Sequence, residues 1–108
     1  MSRNHPRDEY EELMASIAYR YKRAREGYIY DFEEEIKPFL ESGKKLAGNI
    51  LQFKTDVRFD DSSRDKVYEE LMELLMSCHI KRFSRTAYHE KYKFINTWLN
   101  HARREGLM

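Results

Sequence analysis

Apolar residues return at three- and four-residue steps along four stretches of the chain, the signature of amphipathic helices rather than of alternating strands. In the first stretch Tyr10, Leu13, Met14, Ile17, Tyr21 and Ala24 fall on one stripe. A start between Asn4 and Asp8 is expected, where Pro6 suits a first turn and Asp8, Glu9, Glu11 and Glu12 set negative charge at the positive end of the helix dipole. Arg20, Lys22, Arg23 and Arg25 crowd the carbonyl end, and Gly27 supplies a left-handed stop.

The second stretch opens at Asp31, with Glu34 completing an Asp form of the capping box. Phe32, Ile36, Phe39, Leu40, Gly43, Ala47, Ile50 and Lys54 lie along one line, widened by Leu46, Leu51, Phe53 and Val57. Pro38 predicts a kink in this helix, because it removes one backbone bond and crowds the carbonyl of Glu34. Glycine costs ~1 kcal/mol relative to alanine inside a helix. Gly43 on the apolar line is therefore expected where two helices approach closely, and Gly48 carries the same cost.

Asp56 to Asp61 breaks the period, and Ser62 with Asp65 reads as the cap of a third helix whose main face is Val67, Leu71, Leu74, Leu75 and Cys78. Tyr68, Met72 and Met76 flank that face. After a quick turn at Arg82 to Ser84, Ser84 caps the fourth helix, with Phe83 and Tyr88 at the positions of a hydrophobic staple. Tyr88, Tyr92, Ile95, Trp98, Leu99 and Ala102 face inward, and Gly106 is the stop. Helices of about 18 to 24 residues are about 27 to 36 Å long. Four of matched length on short connections predict an all-α, antiparallel up-down-up-down four-helix bundle, with residues 1–108 as a single domain.

Composition narrows this picture. With 41% hydrophobic residues and 14% aromatic, the chain is far from a disordered one although 36% is charged, and four glycines and two prolines leave few turn signals for an all-β protein. A net charge of +1 provides no global field of the histone kind, so any electrostatic function must be local. The lone Cys78 fits a reducing compartment, the polar start Met1 to Glu12 lacks a signal-peptide core, and no apolar run approaches the ~20 residues that span a bilayer; a cytoplasmic protein is expected.

The segment Tyr30-Asp31-Phe32-Glu33-Glu34-Glu35-Ile36-Lys37-Pro38-Phe39 is followed by an apolar helix, then by Glu70 to Ser77, Ser77-Cys78-His79 and Lys81-Arg82-Phe83. Over about Gly27 to Leu99 this order resembles the YppE-like family of small bacterial proteins, most specifically in the aromatic-Asp-Phe opening with Lys37-Pro38 six positions after Asp31. The resemblance implies a four-helix bundle with up-down connectivity. It implies no activity, cofactor or site residue, because the family is one of unknown function.

Candidate chemistry is sparse. His5, His79, His89 and His101 include no Glu-x-x-His pair of the kind that carboxylate-bridged metal bundles place on inward helix faces, and only His79 and His89 are positioned to approach across a turn. Cys78 on an apolar face near a helix end reads as a buried, inert thiol, and Glu33, Glu34 and Glu35 as solvated charge held ionised by a helix N-terminus. No catalytic, metal or cofactor-binding residue is assigned, and the chain is read as a non-enzymatic protein.

Charge placement says more. Residues 62–108 lean basic and residues 31–61 acidic. In an antiparallel bundle Arg20, Lys22, Arg23, Arg25, Lys81, Arg82 and Arg85 gather at one pole beside Tyr28, Tyr30 and Glu33 to Glu35, with pairing between these charges expected. Tyr19, Tyr28 and Phe94 fall off the apolar stripes, as residues of a contact surface do. The leading reading is a protein-protein interaction or regulatory module, self-association included, using Tyr28, Tyr30, Arg23, Arg25, Lys81, Arg82 and Arg85. The alternative is weak nucleic-acid binding by the same basic-aromatic pole, and no membrane partner is expected.

Overall fold

The computed structural model describes residues 8–108. The expected first turn upstream of Asp8, with Pro6 and His5, lies outside them. Among the described residues the chain is helical without a strand: α1 Glu9–Arg25, α2 Lys37–Ile50, α3 Asp61–Ser77 and α4 Arg85–Arg104, with a widened helical turn at Phe32–Ile36 leading into α2.

The ends of these helices obey local rules. Asp8 caps α1, accepting from the Glu11 N–H at 2.8 Å while the Glu11 carboxylate reaches back to the Asp8 N–H at 3.3 Å. Gly27 and Gly106, at φ 105° and 66°, take the left-handed stops. At the first the Tyr28 and Gly27 N–H groups return to Arg23 and Ala24, and at the second Leu107 and Gly106 return to Ala102 and Arg103. Both are Schellman closures that satisfy otherwise orphaned carbonyls. Ser84 caps α4 by accepting from Ala87, as expected.

Helix 2 departs from the expected simple kink. Before Pro38 the Ile36 and Lys37 N–H groups donate to the carbonyls of Asp31 and Phe32, five residues back. A turn of this width takes up one extra residue and relieves the crowding that the proline ring brings against the preceding turn, while Pro38 itself lies in the first turn of α2, where a missing N–H matters least. The extra residue also rotates what lies upstream: Phe32, expected on the inward line, is 48% exposed.

The far end of α2 also differs from expectation. The helix stops at Ile50; Phe53 still turns inward, but Val57, expected to widen the stripe, is 99% exposed. Its neighbour Phe59, in the segment that breaks the period, is 1% exposed. Asp56 causes the swap. One carboxylate oxygen accepts from the Arg58 and Phe59 N–H groups at 3.0 and 2.6 Å, while the Asp56 N–H donates to the Phe59 carbonyl at 3.0 Å. This tight turn throws Val57 out and folds Phe59 in. Asp60, not Ser62, then caps α3, accepting from the Ser63 N–H at 2.9 Å.

All four helices share one apolar interior. Tyr10, Leu13, Met14, Ile17, Tyr21 and Ala24 of α1 are all buried, as are Val67, Leu71, Leu74, Leu75 and Cys78 of α3 and its end, and Tyr88, Ile95, Leu99 and Ala102 of α4; Tyr92 and Trp98 are half-buried against them. Each such aliphatic side chain taken from water stabilises by ~1.5–3 kcal/mol. Gly43 is the predicted close approach: a Cβ there would lie 2.6 Å from a terminal carbon of Leu75, so α2 and α3 touch at a spot where a methyl group would force the buried Leu75 side chain to shift.

Side-chain contacts join the ends. Arg25 donates to the Phe83 carbonyl and Arg20 reaches His79, so the end of α1 meets the end of α3 and the following turn. At the other end Arg103 donates to Asp8, the Tyr10 hydroxyl to the Leu46 carbonyl, and the Lys54 N–H to the Leu107 carbonyl.

Candidate functional site

The most heavily built polar site lies where the end of α1, the connection to α2 and the end of α3 converge. The α1 periodicity that buries Ile17 and Tyr21 leaves Ser16, Tyr19, Arg20 and Arg23 on the flank facing the connection, and the Gly27 stop folds Tyr28 and Tyr30 back over them. A cavity of 370 Å³ results, lined by Tyr19, Arg20, Arg23, Tyr28, Tyr30 and Glu35 together with small residues of α1.

Rings hold the guanidiniums here. Arg20 lies 4.2 Å from the Phe39 ring centre and 5.2 Å from that of Tyr30, while Arg23 lies 4.4 Å from Tyr28 and donates to the Tyr19 hydroxyl at 2.6 Å. Such cation–ring contacts are worth ~0.5–2 kcal/mol each. Tyr28 and Tyr30 meet edge to face at 4.6 Å, and Tyr30 meets His79 likewise at 5.0 Å.

Arg20 also fixes the state of His79. A guanidinium only donates, so its 2.9 Å contact requires a bare Nε2 on the imidazole and places the ring proton on Nδ1, which faces the Cys78 sulfur at 3.6 Å. Burial first, then the Arg20 charge, holds the His79 pKa below its ordinary value. Burial pushes the Cys78 thiol up to about 12.

The acidic run behaves differently from its expected role. Glu35 accepts from the Asp31 N–H at 2.9 Å and the Tyr28 hydroxyl at 2.7 Å, and these two bonds, the backbone one foremost, hold its pKa below the usual carboxylate value. Glu33 pairs with Lys37 at 3.8 Å. Among the described residues none of Arg20, Arg23, Arg25, Arg82 and Arg85 forms an ion pair with Glu33, Glu34 or Glu35, so the expected pairing across the pole is replaced by ring contacts and carbonyls; Arg20 takes the Glu35 backbone oxygen at 3.3 Å. The reason is reach: the wide turn before Pro38 commits Glu35 to its own backbone and to Tyr28.

Of the surface residues expected from sequence, Arg23, Tyr28 and Tyr30 form the cavity wall, and Arg25 is tied to the Phe83 carbonyl and lies over Tyr21. Lys81, Arg82 and Arg85 are exposed around the α3–α4 turn, outside that cavity. Tyr19 is indeed outside the core, but Phe94 packs against it under Lys66. His79 and His89 do not come together: His79 faces Arg20, Tyr30 and Phe39, while His89 is exposed beside Tyr21 and Tyr88. No group of three metal-ligating side chains occurs among the described residues, and no helix among them is long and apolar enough to cross a membrane.

A pairing that the apolar spacing does not announce is that of His101 with Asp56. They meet at 2.8 Å between the end of α4 and the α2–α3 connection. The i,i+3 step from Trp98 to His101 on the inner edge of α4 was the available signal. No family model, curated protein or solved structure matches this chain.

Proposed function

We propose that this chain is a non-enzymatic interaction module, an antiparallel up-down-up-down bundle of the YppE-like type, that engages a protein partner through the pole carrying Arg23, Tyr28, Tyr30, Lys81, Arg82 and Arg85. The observation that carries the reading is the disposition of its charges and apolar groups. Lys81, Arg82 and Arg85 are exposed and lack carboxylate partners among the described residues, and the two connections of the same pole, with the last turn of α3, expose Ile29 (88%), Phe32, Met76 and Ile80. Cations beside uncovered apolar side chains suit a partner that presents carboxylates next to its own apolar residues. The topology is supported by the end contacts, which bring the end of α1 to the α3–α4 turn and its start to the end of α4.

Two groups that chemistry could use are committed elsewhere, which supports a binding role. The Cys78 thiol is buried and His79 Nε2 is occupied by Arg20. A buried free thiol also suits a reducing compartment, and we place the protein in the cytoplasm.

The test is capture of partners from the native host by the immobilised full chain, with the Tyr30→Ala, Arg82→Glu double variant as control and sedimentation to reveal self-association. The expected result is a discrete partner, or a second copy, whose binding drops at least tenfold in the variant and weakens only modestly as salt screens a few exposed charges. Equal capture by both proteins would refute the pole as the contact. Retention on generic RNA that falls steeply with salt and vanishes when Arg82 and Arg85 become glutamate would replace this reading with nucleic-acid binding.

A further inference from the structure

At the end opposite this pole a second cavity, of 560 Å³, is lined by Arg58, Thr97, Trp98, Asn100, His101 and Arg104. We propose that it binds a phosphomonoester carrying a flat ring, the chemistry of a nucleoside monophosphate.

Three features of the lining support this. The first is charge: the wall bears two guanidiniums and no carboxylate, and neither Arg58 nor Arg104 forms an ion pair or cation–ring contact among the described residues. The nearest structural acid, Asp56, is already committed, one oxygen to the Arg58 and Phe59 N–H groups and the other to His101. Glu105 follows Arg104 in the chain and is exposed, outside the wall. An isolated pair of arginines around a cavity favours a doubly charged, oxygen-rich anion, because their fork of donors fits phosphate.

Orientation of the uncharged polar groups is the second feature. The Asn100 side-chain oxygen accepts from Arg103 Nη1 at 2.7 Å, which leaves its amide N–H groups for a ligand. His101 donates its Nε2–H to Asp56 at 2.8 Å, so the ring is fixed at the cavity edge and serves there as a wall, with no N–H of the neutral imidazole left for the ligand. Both sites are set by partners outside the cavity, which is how a binding wall is preorganised.

The third is the ring. Trp98 packs on Phe59 at 5.2 Å and meets His101 edge-on at 5.4 Å, contacts that lock the indole while it still lines the cavity. An indole held in this way offers a stacking surface for a heteroaromatic ring, worth ~1–3 kcal/mol per base where measured by substitution. The volume is well beyond what an inorganic anion occupies and lies within the usual ~300–1,000 Å³ of small-ligand sites.

Trp98 is the protein's single tryptophan, so its fluorescence reports on this cavity alone. The full chain is titrated with adenosine monophosphate, adenosine and inorganic phosphate, and binding is confirmed by calorimetry. The expected result is saturable quenching by adenosine monophosphate, with adenosine and inorganic phosphate each at least tenfold weaker. Arg58→Gln and Arg104→Gln, both at exposed positions, should each weaken the nucleotide at least fivefold with an unchanged circular dichroism spectrum. Trp98→Phe, followed by calorimetry, should weaken it less than the double arginine variant. Absence of binding, adenosine binding as tightly as the nucleotide, phosphate alone binding as tightly, or indifference to both arginine substitutions would each overturn the assignment.

Discussion

The two ends of this molecule handle buried and half-buried polar groups in opposite ways. At the pole around Arg20, guanidiniums lie on the faces of Phe39, Tyr30 and Tyr28, and a neutral His79 is kept as an acceptor. At the far end, carboxylates organise the structure: Asp8 takes Arg103, and Asp56 takes two backbone N–H groups and His101. The Asp56 pKa is held below the usual carboxylate value chiefly by the Phe59 N–H, with His101 also contributing. Ring-held cations keep their charge available to solvent and partners, whereas carboxylate-held ones are neutralised in place. The first end gathers exposed Ile29, Phe32, Met76 and Ile80 beside cations that lack carboxylate partners, and at the second end Arg58 and Arg104 likewise lack one among the described residues.

The largest effect that would test this contrast is at the far end. Phe59→Ala removes a fully buried ring from the Asp56 turn and should lower stability by about 3–5 kcal/mol, read by denaturant unfolding. A loss below about 1 kcal/mol would mean that this turn does not anchor the core. Next comes the other end: Arg20→Met keeps the stem but removes the charge from two rings and leaves His79 Nε2 without its donor. A cost of about 1–2 kcal/mol is expected, little altered by raising the salt concentration, since the partners of Arg20 are rings and neutral acceptors. A loss that disappears in high salt would point to an ordinary ion pair and erase the distinction between the ends.

The smallest effect concerns pH. His79 has a folded-state pKa below its unfolded value, so the unfolded chain binds the proton more readily. Its contribution to stability is complete above the ordinary histidine range, near 6.5, and is lost as pH falls through that value toward the lowered folded one. Thermal unfolding followed from about pH 7.5 down to about 5.5 should show a decline that His79→Gln reduces by about 3 °C or less. An identical decline in the variant would show that His79 is not its source.

Much of the architecture is written in the spacing. The six apolar positions of α1 and the five of α3 are all buried, and the left-handed stops at Gly27 and Gly106 and the Ser84 cap are where local chemistry requires them. Such features depend on neighbours three or four residues away, so a one-dimensional pattern contains them. Gly43 was legible for the same reason, as a costly residue on an apolar line whose cost is explained by Leu75.

What tertiary structure alone decided lies where residues far apart in sequence compete for one group. The spacing puts Phe32 inward because Pro38 announces a break but not the extra residue that the turn takes up, and Val57 and Phe59 exchange roles because Asp56 closes its turn on the Arg58 and Phe59 N–H groups while His101 of α4 holds its other oxygen. Whether an arginine meets a glutamate or a tyrosine ring is likewise set by which side chain arrives within about 4–6 Å after packing, a distance that charge counting along the chain does not contain. Four amphipathic helices and most of their ends follow from residue spacing; the two cavities, and the pairing of Arg20 with His79 and of Asp56 with His101, exist only because the helices pack as they do.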